Sequence, residues 1–230
     1  THCISSAASD VYKRQGMKSE VGRYLTYYID NTEKPLRSSL YIMGVSNYDL
    51  DLYSSVASYL TRVVDEDDAL TQSAYLYLGH AYLKQNDKAN ARMAYQAASK
   101  YTFDKAVREV ALYNYAMCLY DSASAFDAPV DVFEQFLNEY PSSKYVDSVN
   151  DRLVEVYMTT RNYQSALVSI GKIKKPNAKV LAAKQYITFH MGTEAFANTQ
   201  LDKAKNYFSE VIRMGDYDKD VRMQAMFWLG

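Results

Sequence analysis

The feature that most limits what this chain can fold into is a period. Marking the small residue that closes each apolar pair gives Gly44, Gly79, Ala116, Val154, Gly192 and Gly230. Successive markers lie 35, 37, 38, 38 and 38 residues apart. A near-fixed period of roughly 20–50 residues is the signature of stacked supersecondary units. The marker also sits in an awkward place. Gly79 lies inside YLYLGHAY, residues 75–82, whose apolar spacing predicts a helix. Glycine there costs about 1 kcal/mol relative to alanine. Paying that repeatedly, in register, implies that something approaches the helix closely at each marker.

A second marker follows the first. Leu60, Tyr95, Ile170 and Phe208 each stand sixteen residues after their small residue, and Phe133 seventeen after Ala116. Val56, Ala91, Ala166 and Ala204 stand four residues before the bulky position. Each unit therefore reads as a first helix with a small residue, a short turn, and a second helix with a small residue and then a large one. The spacing predicts a lone helix at 17–30, then pairs at 36–50 and 52–65, 69–85 and 88–100, 104–120 and 128–139, 143–160 and 163–173, and 177–197 and 200–214, with a last helix from about 219. Pro35, Pro141 and Pro176 fall between these helices, and Pro129 falls at a helix start, where its missing N–H is harmless. The 23 tyrosines recur at helical rather than alternate spacing. The fold class expected is all-α.

AYLYLGHAYLKQNDKANARMAYQAA, residues 74–98, makes the pattern specific. Tyr75, Leu78, Gly79, Tyr82, Ala91, Tyr95 and Ala98 resemble the seven signature positions of the tetratricopeptide repeat. Gly192, Ala204 and Phe208 keep three of them, while Ala116 and Val154 depart at the glycine. The resemblance covers about residues 17–230 and implies a right-handed α-α superhelix in which glycine lets the first helix approach the second. The repeats it implies span about 37–71, 72–108, 109–146, 147–184 and 185–222. The second helix of a broken unit lies at 17–30 and a truncated first helix at 223–230, where Trp228 would lack a partner. Residues 1–15 have no repeat register. They resemble translated sequencing-adapter tails and are expected to be non-native or disordered, outside the fold. The broken register at both ends points to a fragment. NEYPSSKY, residues 138–145, resembles the inter-repeat turn of bacterial envelope repeat lipoproteins, which favours a bacterial source and a periplasmic or envelope setting over the cytoplasm.

Chemistry is sparse. No H-E-x-x-H, G-x-S-x-G, Walker loop or G-x-G-x-x-G occurs, so no catalytic site, cofactor or metal is expected. DEDD, residues 65–68, lacks the glycine and distal glutamate of a calcium loop. It reads as a solvated turn whose acids favour the following helix N-terminus. Cys3 and Cys118 are too far apart to suggest a zinc site. The 26 basic and 27 acidic residues argue against a general nucleic-acid binder, and no 18-residue apolar stretch predicts a membrane span.

What remains is the concave groove that the resemblance implies, lined by first helices. Its positions give Tyr41, Val45, Tyr48, Tyr77, His80, Tyr113, Asn114, Met117, Tyr120, Arg152, Glu155, Tyr186, Phe189, His190 and Phe196. The peptide-binding candidates are Tyr41, Tyr77, His80, Tyr113, Asn114, Met117, Arg152, Phe189 and His190. Aromatic groups bring large contact area at low entropy cost, so the expected function is a non-catalytic protein–protein scaffold that captures peptide segments. Packing between neighbouring first helices is an equal reading for any single tyrosine. Some members of the family clamp a C-terminal carboxylate, but Asn114 and Arg152 match that set while Leu76, His80 and Ser148 do not. The alternatives are a substrate-recruiting arm of a larger enzyme or sensor, an envelope assembly component, and an RNA-binding helical repeat, which would want a basic groove.

Overall fold

A computed structural model describes residues 18–122, 127–160 and 162–230. The expectation for residues 1–15 lies outside them. Among the described residues the chain forms twelve helices and no strand. It divides into two compact units, Thr1–Ser122 and Ala123–Gly230. The first holds α1 (Lys18–Asp30), α2 (Arg37–Asp49), α3 (Tyr53–Leu60), α4 (Ala69–Lys84), α5 (Lys88–Lys100) and α6 (Lys105–Asp121). The second holds α7 (Asp127–Glu139), α8 (Val146–Thr159), α9 (Tyr163–Lys172), α10 (Ala178–Ala197), α11 (Leu201–Met214) and α12 (Lys219–Leu229). The architecture is an all-α solenoid of helix pairs.

Local chemistry starts the helices where the period places them. Asp68, Asp104, Asn177 and Asp218 cap α4, α6, α10 and α12, each accepting a bond from a first-turn backbone N–H. Asp87 and Asn162 do the same for α5 and α9. Such caps are worth about 1 kcal/mol each. The turns between paired helices are also alike. Asp51, Asn86 and Thr199 all have φ 60°, and each stands seven residues after its glycine. In each turn the next residue's N–H reaches back to a helix carbonyl, Leu52 to Asn47, Asp87 to Tyr82 and Gln200 to Ala195, all at 2.9 Å. This left-handed residue reverses the chain and satisfies carbonyls that the helix end leaves open.

The glycines sit where the second helix presses closest. A Cβ on Gly79 would stand 2.6 Å from two atoms of the Tyr95 ring, and one on Gly192 would stand 2.7 Å from the Phe208 ring. At Gly44 it would collide with Leu60. The bulky side chains that fill these contacts are fully buried, together with Phe133, Phe136 and Tyr157.

Two boundaries differ from expectation. α3 stops at Leu60 rather than 65, because the Val63 carbonyl accepts bonds from Arg37 at 3.0 Å (Nε) and 2.6 Å (Nη2) instead of continuing a helix. α8 begins at Val146 rather than 143. A turn precedes it, in which the Ser143 and Val146 N–H groups bond Tyr140 and Ser143 carbonyls. Trp228 is not unpartnered. It stacks on Phe208 at 5.9 Å and meets Phe196 edge-on at 5.0 Å.

Candidate functional site

In the first unit the helices α2, α4 and α6 carry most of the expected site. Tyr41, Tyr48, Tyr77 and His80 are half-buried and form one aromatic cluster. Tyr77 meets Tyr41 at 6.1 Å and Tyr48 at 5.6 Å, both edge-to-face. His80 lies 6.1 Å from Tyr48 and 6.2 Å from Tyr77. Behind it, His80 Nδ1 is 2.8 Å from the Tyr95 hydroxyl, so the ring that fills the glycine contact also orients the histidine. Burial, and then Lys84, hold the His80 pKa below its ordinary value and favour the neutral ring. Burial raises the Tyr77 pKa, helped by Asp49. The cluster is therefore uncharged over the neutral range and offers ring edges and faces.

On α6, Tyr113 and Met117 are half-buried. Asn114 donates to the Val110 carbonyl of its own helix at 2.8 Å. In the second unit Arg152 is exposed and pairs with Glu155 at 3.1 Å, which agrees with the i,i+3 pairing its spacing allows. His190 is half-buried between Tyr186 at 4.2 Å and Tyr163 at 5.8 Å. Phe189 is a correction. It is only 6% exposed and packs 5.6 Å from Phe208, inside the apolar core of α10, α11 and α12. A side chain so placed has no free face for a partner. Val45, 7% exposed, is likewise buried.

The acidic turn at 65–68 is a clamp. Arg37 pairs with Asp65 at 2.7 Å, Glu66 at 2.9 Å and Asp68 at 2.7 Å. The hydrogen bond from Arg37 is the chief cause that lowers the Asp68 pKa, and Asp68 also caps α4. Of these acids Asp68 takes the expected place at the helix start, with an arginine added that the local sequence did not reveal.

Sequence reasoning missed the polar staples. Gln72 is fully buried. Its Oε1 accepts from Asp104 N–H at 2.8 Å, and its Nε2 donates to the Tyr101 and Asp104 carbonyls at 3.1 and 3.0 Å. Gln185 does the same in the second unit, reaching Val211 and Gly215 carbonyls at 2.9 and 2.7 Å and the Asp218 N–H at 2.7 Å. Each ties its first helix to the turn that opens the next one. The signal was a glutamine seven residues before a glycine marker, twice. Arg37, which bonds the Val63 carbonyl, stands at the same place before Gly44.

Stapled, glycine-contacted helix pairs of this period define a helical-repeat protein of the interaction-scaffold class. The chain carries tetratricopeptide repeats: the tetratricopeptide repeat family model matches residues 73–101 and 110–143. Its fold is similar to the C-terminal part of a TPR repeat-containing protein from Cytophaga hutchinsonii, with TM-score 0.50 and 16% identity over 95% of this chain and 84% of that one. A tetratricopeptide repeat protein from Parabacteroides merdae aligns with TM-score 0.46 and 13% identity over 99% of this chain and 84% of that one. No curated protein matches the sequence. No helix among the described residues is long and apolar enough to cross a membrane. Repeats of this kind generally mediate protein–protein interaction.

Proposed function

We propose that the first unit captures an apolar or aromatic peptide segment of a partner protein on the face formed by α2, α4 and α6. The observation that carries this reading is the half-buried cluster of Tyr41, Tyr48, Tyr77 and His80. These rings lie on successive first helices but outside the contacts that Leu60 and Tyr95 make with the glycines. Tyr113 and Met117 extend the same face. The near-equal numbers of acidic and basic residues favour a protein over a nucleic-acid partner. His190 with Tyr163 and Tyr186 is a second, smaller contact of the same type in the second unit. The same face would serve a free scaffold, a recruiting arm of a larger enzyme or sensor, or an envelope assembly component.

The test is peptide display against the full chain, followed by affinity measurement on the enriched peptides. Truncating a true anchor among Tyr77, Tyr113 and Met117 to alanine costs about 2 kcal/mol of binding. Affinity falls only modestly as salt rises, because the contacts are apolar. Far-UV circular dichroism and a melt verify folding. A triple variant that melts like the parent and binds the peptides equally well sinks the proposal.

A further inference from the structure

α7 and α9 lie side by side in the second unit, and between them a cavity of about 200 Å³ opens to solvent. Its volume is well above what one water needs. Asp131, Glu134, Ser165, Val168, Ser169 and Lys172 line it. The floor is Glu134, only 4% exposed. One of its carboxylate oxygens accepts from the Ser169 hydroxyl, which is bonded in turn to the Tyr157 hydroxyl at 2.5 Å. Its other oxygen faces the Lys172 ammonium at 3.4 Å, and Asp131 faces the same ammonium at 3.3 Å.

Two features of this arrangement stand apart from ordinary packing. A carboxylate is held in a buried place, where a charge is costly unless paired, and it lies at the bottom of an open cavity rather than in a filled core. Its cation is shared with Asp131 at distances longer than the roughly 2.7–2.9 Å of a direct charge-assisted bond. Lys172 and Asp131 are themselves 54% and 67% exposed, so the ammonium stands at the mouth and leaves the cavity unfilled. The two carboxylates outnumber the one ammonium. A planar group with several N–H donors can reach both carboxylates at once, which a single ammonium at the mouth does only at long range.

We propose that the cavity between α7 and α9 is a binding site for a guanidinium group, the side chain of a partner's arginine, with Glu134 and Asp131 as acceptors and Lys172 as a tethered competitor that the ligand displaces. The site is separate from the aromatic face of the first unit and does not depend on it. Ser165 and Ser169, small residues one helical turn apart on α9, leave the room that the guanidinium plane enters.

The probe is N-acetyl-arginine methylamide, titrated into the full 15N-labelled chain and followed by amide chemical shifts. Saturable shifts should concentrate at residues 130–134 and 164–172. N-acetyl-norleucine methylamide, which lacks the charge, should produce none. Lys172→Ala should tighten binding by about tenfold, because it removes a competitor held at high effective concentration. Glu134→Gln keeps an acceptor for Ser169 and should remove binding. Asp131→Asn, at an exposed position, should weaken binding and leave the melt unchanged, which keeps the test valid if Glu134→Gln unfolds. The proposal is overturned if the arginine probe shifts no more than the norleucine one, if its shifts lie elsewhere, or if Lys172→Ala binds no more tightly.

Discussion

The pair α4–α5 and the pair α8–α9 occupy the same place in their repeats but solve it differently. At Gly79 the helices lie together along their length, with the Tyr95 ring laid against the glycine. At Val154 the branched side chain stands where glycine would, and α8 and α9 scarcely approach at the backbone. The bulky second-helix residue there is Ile170, smaller than a ring. Tyr157 of the first helix is instead fully buried and reaches Ser169 across the gap. Glycine thus lets a second helix lend a ring to the contact. Its loss spreads the helices, and a polar link from the opposite side holds them. The buried Glu134 and the open cavity beside it accompany the spread pair.

The strongest way to break this comparison is to exchange the marker. Gly79→Val places methyl groups where the Tyr95 ring lies, and ring and backbone cannot both stay. The expected loss is about 3 kcal/mol, at the upper end for overpacked cores, read as a drop in denaturant midpoint. Val154→Gly should cost far less, on the order of 1 kcal/mol from helix propensity, since no ring waits to fill the space. Equal losses at the two sites would show that the marker does not set helix separation.

A second break lies in the staples. Gln72→Leu removes the bonds to the Asp104 N–H and to the Tyr101 and Asp104 carbonyls and leaves the half-buried turn without its side-chain staple, at an expected cost of about 2 kcal/mol. Gln185→Leu should cost a similar amount. Neither α6 nor α8 carries such a glutamine, so Glu109→Leu and Asp147→Leu, the counterparts seven residues before Ala116 and Val154, should change the midpoint little. A loss at those positions matching that at Gln72 would deny that the staple belongs to the glycine-bearing repeats.

The acids sharpen the comparison through pH. Burial pushes the Glu134 carboxyl above its ordinary value, against the opposing pull of Ser169 and Lys172, with Asp131 adding to the rise. A raised folded-state value adds stability below the ordinary carboxylate range and loses it as pH climbs through the raised value. Glu134→Gln removes that loss, so its melting temperature relative to the parent should rise with pH across the window above the ordinary value. Asp68 behaves oppositely. Its carboxyl is lowered, first by the Arg37 hydrogen bond, so its contribution is present above the ordinary value and fades as pH falls. The deficit of Asp68→Asn should therefore shrink in acid. Matching slopes for the two variants would contradict one of these environments.

Most of the helices and the glycine contacts were legible because period and size are local facts of the sequence. The sixteen-residue step from Gly79 to Tyr95 could be counted, and the structure brings those residues into contact. The site was less legible for a physical reason. A helix such as α10 is apolar on more than one face, so register alone does not tell a groove ring from a core ring. Register puts Phe189 on the groove side, but Phe208 enters beside Gly192 and packs against Phe189 in the core. Gln72 and Gln185 were hidden because an isolated polar residue in an apolar run reads as surface until its turn is seen. Arg37 and Glu134 pair with residues 28 to 38 positions away, beyond what adjacent spacing reports.

The smallest expected effect tests whether the turns are as alike as the φ values make them. Asn86 and Thr199 share φ 60° at the same step after their glycines. Asparagine tolerates the left-handed region, whereas a branched side chain crowds its own backbone there. Thr199 is exposed, and its hydroxyl bonds only the neighbouring Asn198 carbonyl, at 2.7 Å, so nothing in the core requires it. Thr199→Asn should then stabilise the chain by about 0.5 kcal/mol, and Asn86→Thr should destabilise it by a similar amount, in line with other substitutions that match or oppose a fixed backbone. Both changes are surface changes at one φ, so they should be nearly equal and opposite when read as shifts in denaturant midpoint at constant slope. If Thr199→Asn destabilises instead, the threonine hydroxyl is holding its turn in a way the asparagine turn does not need, and the two turns are alike in backbone only.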